Sequence, residues 1–91
     1  MIAIDSYAGK CALVTGSRRG VGRLIAEHLL KNGACVAGFA RGEATFEHPL
    51  YAHFQVDIGD PVSVQKGFID LKKSINIVHI VVNNAAVLTS Q

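Results

Sequence analysis

The chain contains no tryptophan, one methionine, two prolines and few charged residues, which make up 18% of its 91 positions. Its formal net charge at pH 7 is +2, and no run of basic residues is longer than two. A nucleic acid or an anionic membrane surface calls for a larger cluster of positive charge, so we expect neither as a partner. No apolar run approaches the length of about 18 residues that a membrane span requires.

Cysteine is also scarce, and Cys11 and Cys35 lie too far apart in the sequence for metal-ligand spacing. Each begins an apolar run, which predicts two reduced thiols that pack as small hydrophobic side chains. Asp5 and the lack of an apolar run of signal length after Met1 predict that no secretory segment is present. We therefore expect a cytoplasmic protein.

Four apolar runs predict β-strands, at residues 11–15, 35–40, 52–56 and 75–82. The last run, INIVHIVV, is nearly continuous and rich in β-branched residues, which predicts a central strand covered on both faces. Hydrophobic residues make up 49% of the chain, a fraction that suits a sheet buried on both sides. The length allows one domain, residues 1–91, and no second core.

Two segments of helical period separate these strands. The first, residues 21–31, ends at Asn32 and Gly33, and the second begins where Asp60 can cap and Pro61 can open a helix. The apolar positions that define their buried sides are Val21, Leu24, Ile25, Leu29 and Leu30 in the first, and Val64, Phe68, Leu71 and Ile75 in the second. Because parallel strands are joined by right-handed crossovers, the predicted fold is α/β: half of a doubly wound parallel sheet of Rossmann type, with strand order 3-2-1-4.

The segment TGSRRGVG, residues 15–22, lies between the first strand and the first helix and is called the glycine loop below. Glycine after a strand permits a sharp turn, and glycine at a helix start lets a ligand approach the backbone. Free N–H groups and the positive end of the helix dipole favour an anion there, most simply the pyrophosphate of a dinucleotide. The alternatives are a tight turn without a ligand and a small phosphate-binding module unrelated to dehydrogenases.

The spacing T-G-x-x-x-G-x-G resembles that of the short-chain dehydrogenase/reductase family. Three further segments are similar to that family: GACVAGFAR at 33–41 to its second strand, VDI at 56–58 to its strand-end Asp and apolar residue, and NNAA at 83–86 to its N-N-A-G. The resemblance covers nearly the whole chain. It implies a nicotinamide dinucleotide cofactor and, in the complete family, hydride transfer between nicotinamide and a carbonyl or hydroxyl carbon.

The resemblance also implies which residues bind the cofactor. They are Gly16, Ser17, Arg18, Arg19, Gly20, Val21 and Gly22 in the glycine loop, Arg41 after the second strand, Asp57 and Ile58 beside the adenine, and Asn84, Ala85 and Ala86 after the fourth strand. Asp57 could instead cap its strand, the NNAA segment could form a polar turn, and Asn83 could tie neighbouring strands together. Ala86 departs from the family's glycine, and its Cβ would narrow this edge of the site.

The end of the second strand bears on which dinucleotide is bound. Proteins that bind the unphosphorylated cofactor usually carry Asp or Glu there, whereas this chain has Ala40 followed by Arg41. Arg19, directly before Gly20, is a second cation within reach of a 2′-phosphate. We therefore predict NADP(H) rather than NAD(H), the alternative being that both arginines are ordinary solvated side chains.

The family's catalytic residues have no counterpart in this sequence. Its tyrosine is followed four positions later by lysine, whereas Tyr7 is followed by Cys11 and Tyr51 by Gln55. In this numbering the family's Ser, Tyr and Lys would lie beyond Gln91, and the four histidines show no metal-like clustering. We expect no catalytic residue and no metal site, and the sequence leaves open whether the chain acts as an enzyme.

Two functions are consistent with these observations. The first is the NADP(H)-binding amino-terminal segment of a short-chain oxidoreductase, inactive alone because the carboxy-terminal catalytic half is absent. The alternative is a truncated, non-enzymatic subunit that binds nucleotide or associates with a full-length relative. In both, an unpaired fourth strand and an uncovered sheet face predict self-association or pairing with such a relative.

Overall fold

The computed structural model of the protein describes residues 7–18 and 20–84. Along the chain the elements are β1 (Cys11–Thr15), α1 (Gly20–Lys31), β2 (Cys35–Ala40), β3 (Tyr51–Gln55), α2 (Pro61–Lys72) and β4 (Ile80–Val82). The strands form one parallel sheet in the order β3-β2-β1-β4. The predicted α/β class and strand order are confirmed.

The two faces of the sheet carry separate hydrophobic cores, because successive residues of a strand point to opposite sides. The core beneath α1 contains Ala12, Val14, Ala26, Leu29, Leu30, Ala34 and Val36. The core beneath α2 contains Leu13, Ala37, Phe39, Val56 and Leu71. β1 and β2 contribute to both cores, so they form the rigid centre from which the glycine loop emerges.

The helices depart from the predicted apolar pattern at Phe68 of α2, which is 44% exposed, and at two residues of α1. In α1 the residues buried against the sheet are Gly22, Ala26, Leu29 and Leu30. Val21 and Leu24, predicted to face the core, are 63% and 66% exposed. The reason is that the small residues Gly22 and Ala26 bring their face of α1 close to the sheet, which turns the side chains of Val21 and Leu24 outward.

No helix within the described residues is long and apolar enough to cross a membrane.

The start of α2 matches its prediction, but the fourth strand is shorter than predicted. Asp60 accepts a hydrogen bond from the Val62 N–H over 3.0 Å, as a capping residue does. Ile75, predicted to open β4, donates its N–H to the Leu71 carbonyl and so belongs to the last turn after α2. β4 therefore starts at Ile80, and Val81 is 65% exposed. The expected central strand, covered on both faces, is the edge strand of the sheet that the described residues form.

The two cysteines form a disulfide, so the prediction of two reduced thiols was wrong. Cys11 and Cys35 are the first residues of β1 and β2 and lie opposite one another in the parallel register. Their Cα atoms are 4.6 Å apart, within the range that a disulfide can bridge. The lateral alignment of the strands, which a sequence does not display, decides this pairing.

Candidate functional site

The glycine loop turns sharply over the end of β1. Gly16 has a φ of 68°, and its N–H donates to the Phe39 carbonyl on β2 over 2.8 Å. Gly20, the first residue of α1, has a φ of 63°. In this left-handed region an L-residue carries a cost of about 1–2 kcal/mol, which glycine avoids. Both glycines are therefore required by the backbone itself.

Gly22 serves a different purpose, which is close approach. A Cβ built on Gly22 would lie 2.6 Å from Asn84 Nδ2 and closer still to the Gly16 carbonyl oxygen. The Asn84 amide donates to that same carbonyl over 3.5 Å. The first turn of α1, the end of β1 and the segment after β4 thus meet at one point, at the carboxyl ends of the strands.

The start of α1 has the properties of an anion site. The first N–H groups of a helix have no partner within the helix, and they carry the positive end of its dipole. The first turn of α1 contains no acidic residue that would repel an anion. Gly20 and Val21 are exposed there, and a Cβ on Gly20 would meet no atom within 4 Å, so the backbone is open to a close ligand. Of the predicted residues, Gly16, Gly20, Val21 and Gly22 are brought together here.

Ser17 is placed in the loop but its side chain faces inward. It is fully buried, and its Oγ is hydrogen-bonded to the Tyr51 hydroxyl on β3 over 2.8 Å. Burial raises the pKa of the Tyr51 phenol, and the hydrogen bond with Ser17 lowers it by a smaller amount. The Ser17 hydroxyl is therefore engaged inside the protein and is not offered to a ligand.

Arg18 joins the glycine loop to the connection between β2 and β3. Its Nε donates to the Glu43 carbonyl over 2.8 Å, and Thr45 Oγ1 donates to the Arg18 carbonyl. The guanidinium lies close to Gly42, where an added Cβ would be 2.7 Å from its Cζ. Arg41 precedes Gly42 and is exposed. The structure therefore brings Arg18 and Arg41 to one edge of the site.

Asp57 and Ile58 lie where the chain leaves β3 for α2. Asp57 Oδ1 accepts the Gly59 N–H over 2.9 Å, and the Asp57 N–H donates to Ser63 Oγ over 2.8 Å. The carboxylate thus closes a turn, the role that we weighed as its alternative. Ile58 packs against the core beneath α2. Both residues are half-buried.

The segment after β4 supplies the remaining predicted residues. Asn84 contacts the glycine loop as described, while Asn83 Oδ1 accepts a hydrogen bond from Thr15 Oγ1 over 3.2 Å. This bond ties the ends of β1 and β4 together, as the sequence suggested for Asn83. Arg19, Ala85 and Ala86 lie outside the described residues.

Sequence analysis missed Tyr51 and His53 on β3. The Tyr51 hydroxyl is 2.7 Å from His53 Nδ1, and His53 Nε2 is 2.8 Å from the Gly42 carbonyl. Gly38 on β2 makes room for this arrangement, because a Cβ there would lie 2.8 Å from Tyr51 Cζ. The period of two in β3, which places both side chains on the face towards Gly38, was the available signal.

The described residues offer binding groups rather than reactive ones. Backbone N–H groups and the cations Arg18 and Arg41 suit an anionic ligand. No group of three His, Cys, Asp or Glu residues in this part of the chain could hold a metal ion. The arrangement can therefore hold and orient a phosphorylated ligand.

Comparison with known proteins agrees with this geometry. Residues 10–91 match the sequence profile of the family described as short chain dehydrogenase. The 3-oxoacyl-[acyl-carrier-protein] reductase of Salmonella typhimurium is 38% identical over 88 residues, which cover 90% of this chain and 36% of that protein. A sorbitol dehydrogenase of Cereibacter sphaeroides is 37% identical over 84 residues, covering 86% and 33%. The chain thus spans about a third of the length of these relatives.

Solved structures share the fold. The ligand-free aldohexose dehydrogenase of Thermoplasma acidophilum superposes with a TM-score of 0.81 at 26% identity, covering 92% of this chain and 32% of that one. A short chain dehydrogenase of Leptospira borgpetersenii, solved with NAD+, gives 0.82 at 23% identity, covering 96% and 36%. At that identity the second likeness concerns the fold alone.

We predict that Gly22→Ala destabilises the protein by about 1–3 kcal/mol, the usual cost of overpacking. Alanine in a helix interior normally adds about 0.5–1 kcal/mol over glycine, so the close contact with the Gly16 carbonyl reverses the expected sign. Gly59→Ala is the control, since its nearest neighbour would be 3.4 Å away. Urea unfolding measures both, and a Gly22→Ala variant as stable as the wild type would contradict the close approach.

Proposed function

The chain belongs to the short-chain dehydrogenase family, and we propose that it is the part of an oxidoreductase that holds the cofactor NADP(H). Membership in this family removes the alternative of an unrelated phosphate-binding module. The reaction proposed for the complete protein is hydride transfer between nicotinamide and a carbonyl or hydroxyl carbon. The observation that carries the proposal is the glycine loop, which opens directly onto the start of α1 with Gly22 packed against Gly16.

The proposed site follows the bound coenzyme from diphosphate to adenosine. The diphosphate contacts backbone N–H groups of Arg18, Arg19, Gly20 and Val21, while Gly16, Ser17 and Gly22 shape the loop beneath it. Asp57 and Ile58 border the adenine, and Asn84, Ala85 and Ala86 border the ribose on the β4 side. When bound, the coenzyme supplies the hydride, and these residues hold and orient it. The fit rests on the exposed backbone at Gly20 and on the lack of an acidic residue in the first turn of α1.

NADP(H) is proposed over NAD(H) because of the charges after β2. Ala40, the last residue of that strand, leaves no carboxylate to bind the ribose hydroxyls or repel a phosphate. Arg41 is exposed, and the Arg18 guanidinium lies on the neighbouring Gly42. Two guanidinium groups on one edge suit a phosphate, which arginine binds in a bidentate manner, and Arg19, the second cation predicted from the sequence, is proposed to join them.

We predict that NADPH binds at least about tenfold more tightly than NADH. Arg41→Ala should weaken NADPH binding by about tenfold or more and leave NADH binding unchanged, because a charge-assisted hydrogen bond contributes about 1.5–3 kcal/mol. Lys31→Ala, at the far end of α1, removes the same charge away from the site. Isothermal titration of the three proteins with both coenzymes measures this, and equal affinity of the wild type for both would refute NADP(H) selectivity.

The 91-residue chain is proposed to bind the coenzyme without catalysing a reaction. An acid–base tyrosine near neutral pH needs a lowered pKa, whereas burial raises that of Tyr51. The Tyr51 hydroxyl is also occupied by hydrogen bonds with Ser17 and His53. Tyr7 and Tyr51 both lack a lysine four positions later.

We therefore expect no turnover when the chain is mixed with NADPH and a panel of ketones. The absorbance of the reduced nicotinamide should remain at its background drift. The same assay with a full-length relative is the positive control, and adding the chain to that relative tests for an effect in a mixed assembly. Ketone-dependent oxidation of NADPH by the isolated chain would refute the claim of inactivity.

The alternative function, a non-enzymatic subunit that associates with itself or a full-length relative, is favoured by the edge of β4. Among the described strands β4 pairs with β1 alone, and Val81 in β4 and Ile77 three residues before it are exposed. An apolar edge strand with unpaired backbone groups is a template for another chain. The same edge is available in both proposed functions.

We predict that the chain self-associates, with a sedimentation mass that rises above 9.7 kDa with concentration. Val81→Lys should shift the protein towards the monomer, because a charge on an edge strand opposes pairing. Val62→Lys, an equally exposed valine on α2, is the matched control and should have no effect. A wild-type chain that stays monomeric at all concentrations would argue against this role for β4.

A cytoplasmic location forms part of the proposal, because NADP(H) is an intracellular coenzyme. Glutathione and thioredoxin keep thiols reduced in that compartment. The Cys11–Cys35 disulfide is therefore unusual for a protein of that compartment, where such bonds are mostly transient or redox-sensing.

A further inference from the structure

A chain of hydrogen bonds runs from Ser17 through Tyr51 and His53 to the Gly42 carbonyl, and we call these four groups the relay. Its three links measure 2.8, 2.7 and 2.8 Å. The Gly42 carbonyl can only accept, so His53 Nε2 carries the hydrogen of this link. In the neutral imidazole Nδ1 then accepts from the Tyr51 hydroxyl, which in turn accepts from Ser17. Every donor in the relay has one defined acceptor.

The relay joins the two sides of the proposed 2′-phosphate site. Ser17 precedes Arg18 in the glycine loop, and Gly42 follows Arg41 after β2. The bonds of Arg18 with Glu43 and Thr45 run alongside it between the same two segments. The backbone positions of Arg18 and Arg41 are therefore fixed relative to one another through Tyr51 and His53.

Packing leaves the relay little freedom. Ser17 is fully buried, and Tyr51 reaches it across β2 only because Gly38 has no side chain. The Phe46 ring lies against Tyr51 with centroids 4.4 Å apart, and the Arg23 guanidinium is 5.2 Å from the Phe46 centroid. Aromatic and cation–π contacts of this kind hold the loop after β2 over the relay.

We infer that Tyr51 and His53 are positioning residues that set the selectivity for the 2′-phosphate. Neither belongs to the proposed coenzyme contacts, and both act through the spacing of Arg18 and Arg41. The inference rests on the proposed NADP(H) function. According to this inference, residues at the start of β3 contribute to coenzyme selectivity together with the arginines beside the phosphate.

The test is the ratio of NADH to NADPH dissociation constants in four variants. Tyr51→Phe keeps the ring and removes the hydroxyl, and His53→Leu removes both imidazole bonds. Each removes two links of the relay and should weaken NADPH binding at least about fivefold, the factor to which one lost hydrogen bond roughly corresponds, while NADH binding changes less than about twofold. His53→Gln, whose amide can donate and accept, should retain more selectivity than His53→Leu. Tyr7→Phe, which removes a phenol outside the relay, is the control.

A double variant separates positioning from general weakening. In the Arg41→Ala background, Tyr51→Phe should lower the selectivity ratio further by less than twofold, because the two changes act on one interaction. Circular dichroism and thermal unfolding first establish that each variant is folded. If Tyr51→Phe does not fold, the comparison of His53→Gln with His53→Leu tests the same point.

The outcomes distinguish the inference from its premise. A wild-type chain that binds both coenzymes equally overturns the proposed NADP(H) site and the inference with it. A wild-type chain that prefers NADPH, together with relay variants that keep the wild-type ratio, overturns the inference alone. Loss of NADPH affinity without loss of NADH affinity in both Tyr51→Phe and His53→Leu supports it.

Discussion

The contact of Gly22 with the Gly16 carbonyl is the constraint on which the site depends. This contact brings α1 so close to the sheet that the start of the helix lies directly over the end of β1. Ala26, one turn further, continues the same close approach, and the larger Leu29 and Leu30 fill the wider space beyond. The packing that covers one face of the sheet therefore also presents the helix N–H groups where an anion can reach them.

Support for the site is unequal on its two sides. β1 and β2 are buried on both faces, and the diphosphate and 2′-phosphate positions that we propose lie at their ends. β4 has three residues and forms one edge of the described sheet, with Val81 exposed. This asymmetry favours firm support of the proposed phosphate positions. The β4 side of the site is the less supported one, so additional packing would stabilise that side most.

Local patterns allowed most of the fold to be predicted, and contacts between distant segments account for the errors. Apolar period and turn residues are local, so the strands, the cap at Asp60 and the glycine loop were predictable, and the right-handed crossover rule then led to the strand order. The start of β4 depended on whether Ile75 would bond to Leu71, and the disulfide depended on lateral register. The relay was missed for the same reason, because Tyr51 meets Ser17 only after β3 is aligned beside β2.

The location of the relay makes selectivity rather than stability its main consequence. β1 and β2 are already joined at both ends, by the Cys35 N–H to the Lys10 carbonyl over 2.9 Å and the Gly16 N–H to the Phe39 carbonyl over 2.8 Å. The pairing of these strands therefore does not require Tyr51 or His53. What the relay adds lies beyond the strand ends, where Arg18 and Arg41 emerge and no sheet hydrogen bond fixes their separation. A phosphate, whose recognition by guanidinium groups depends on geometry, is the ligand most sensitive to that separation.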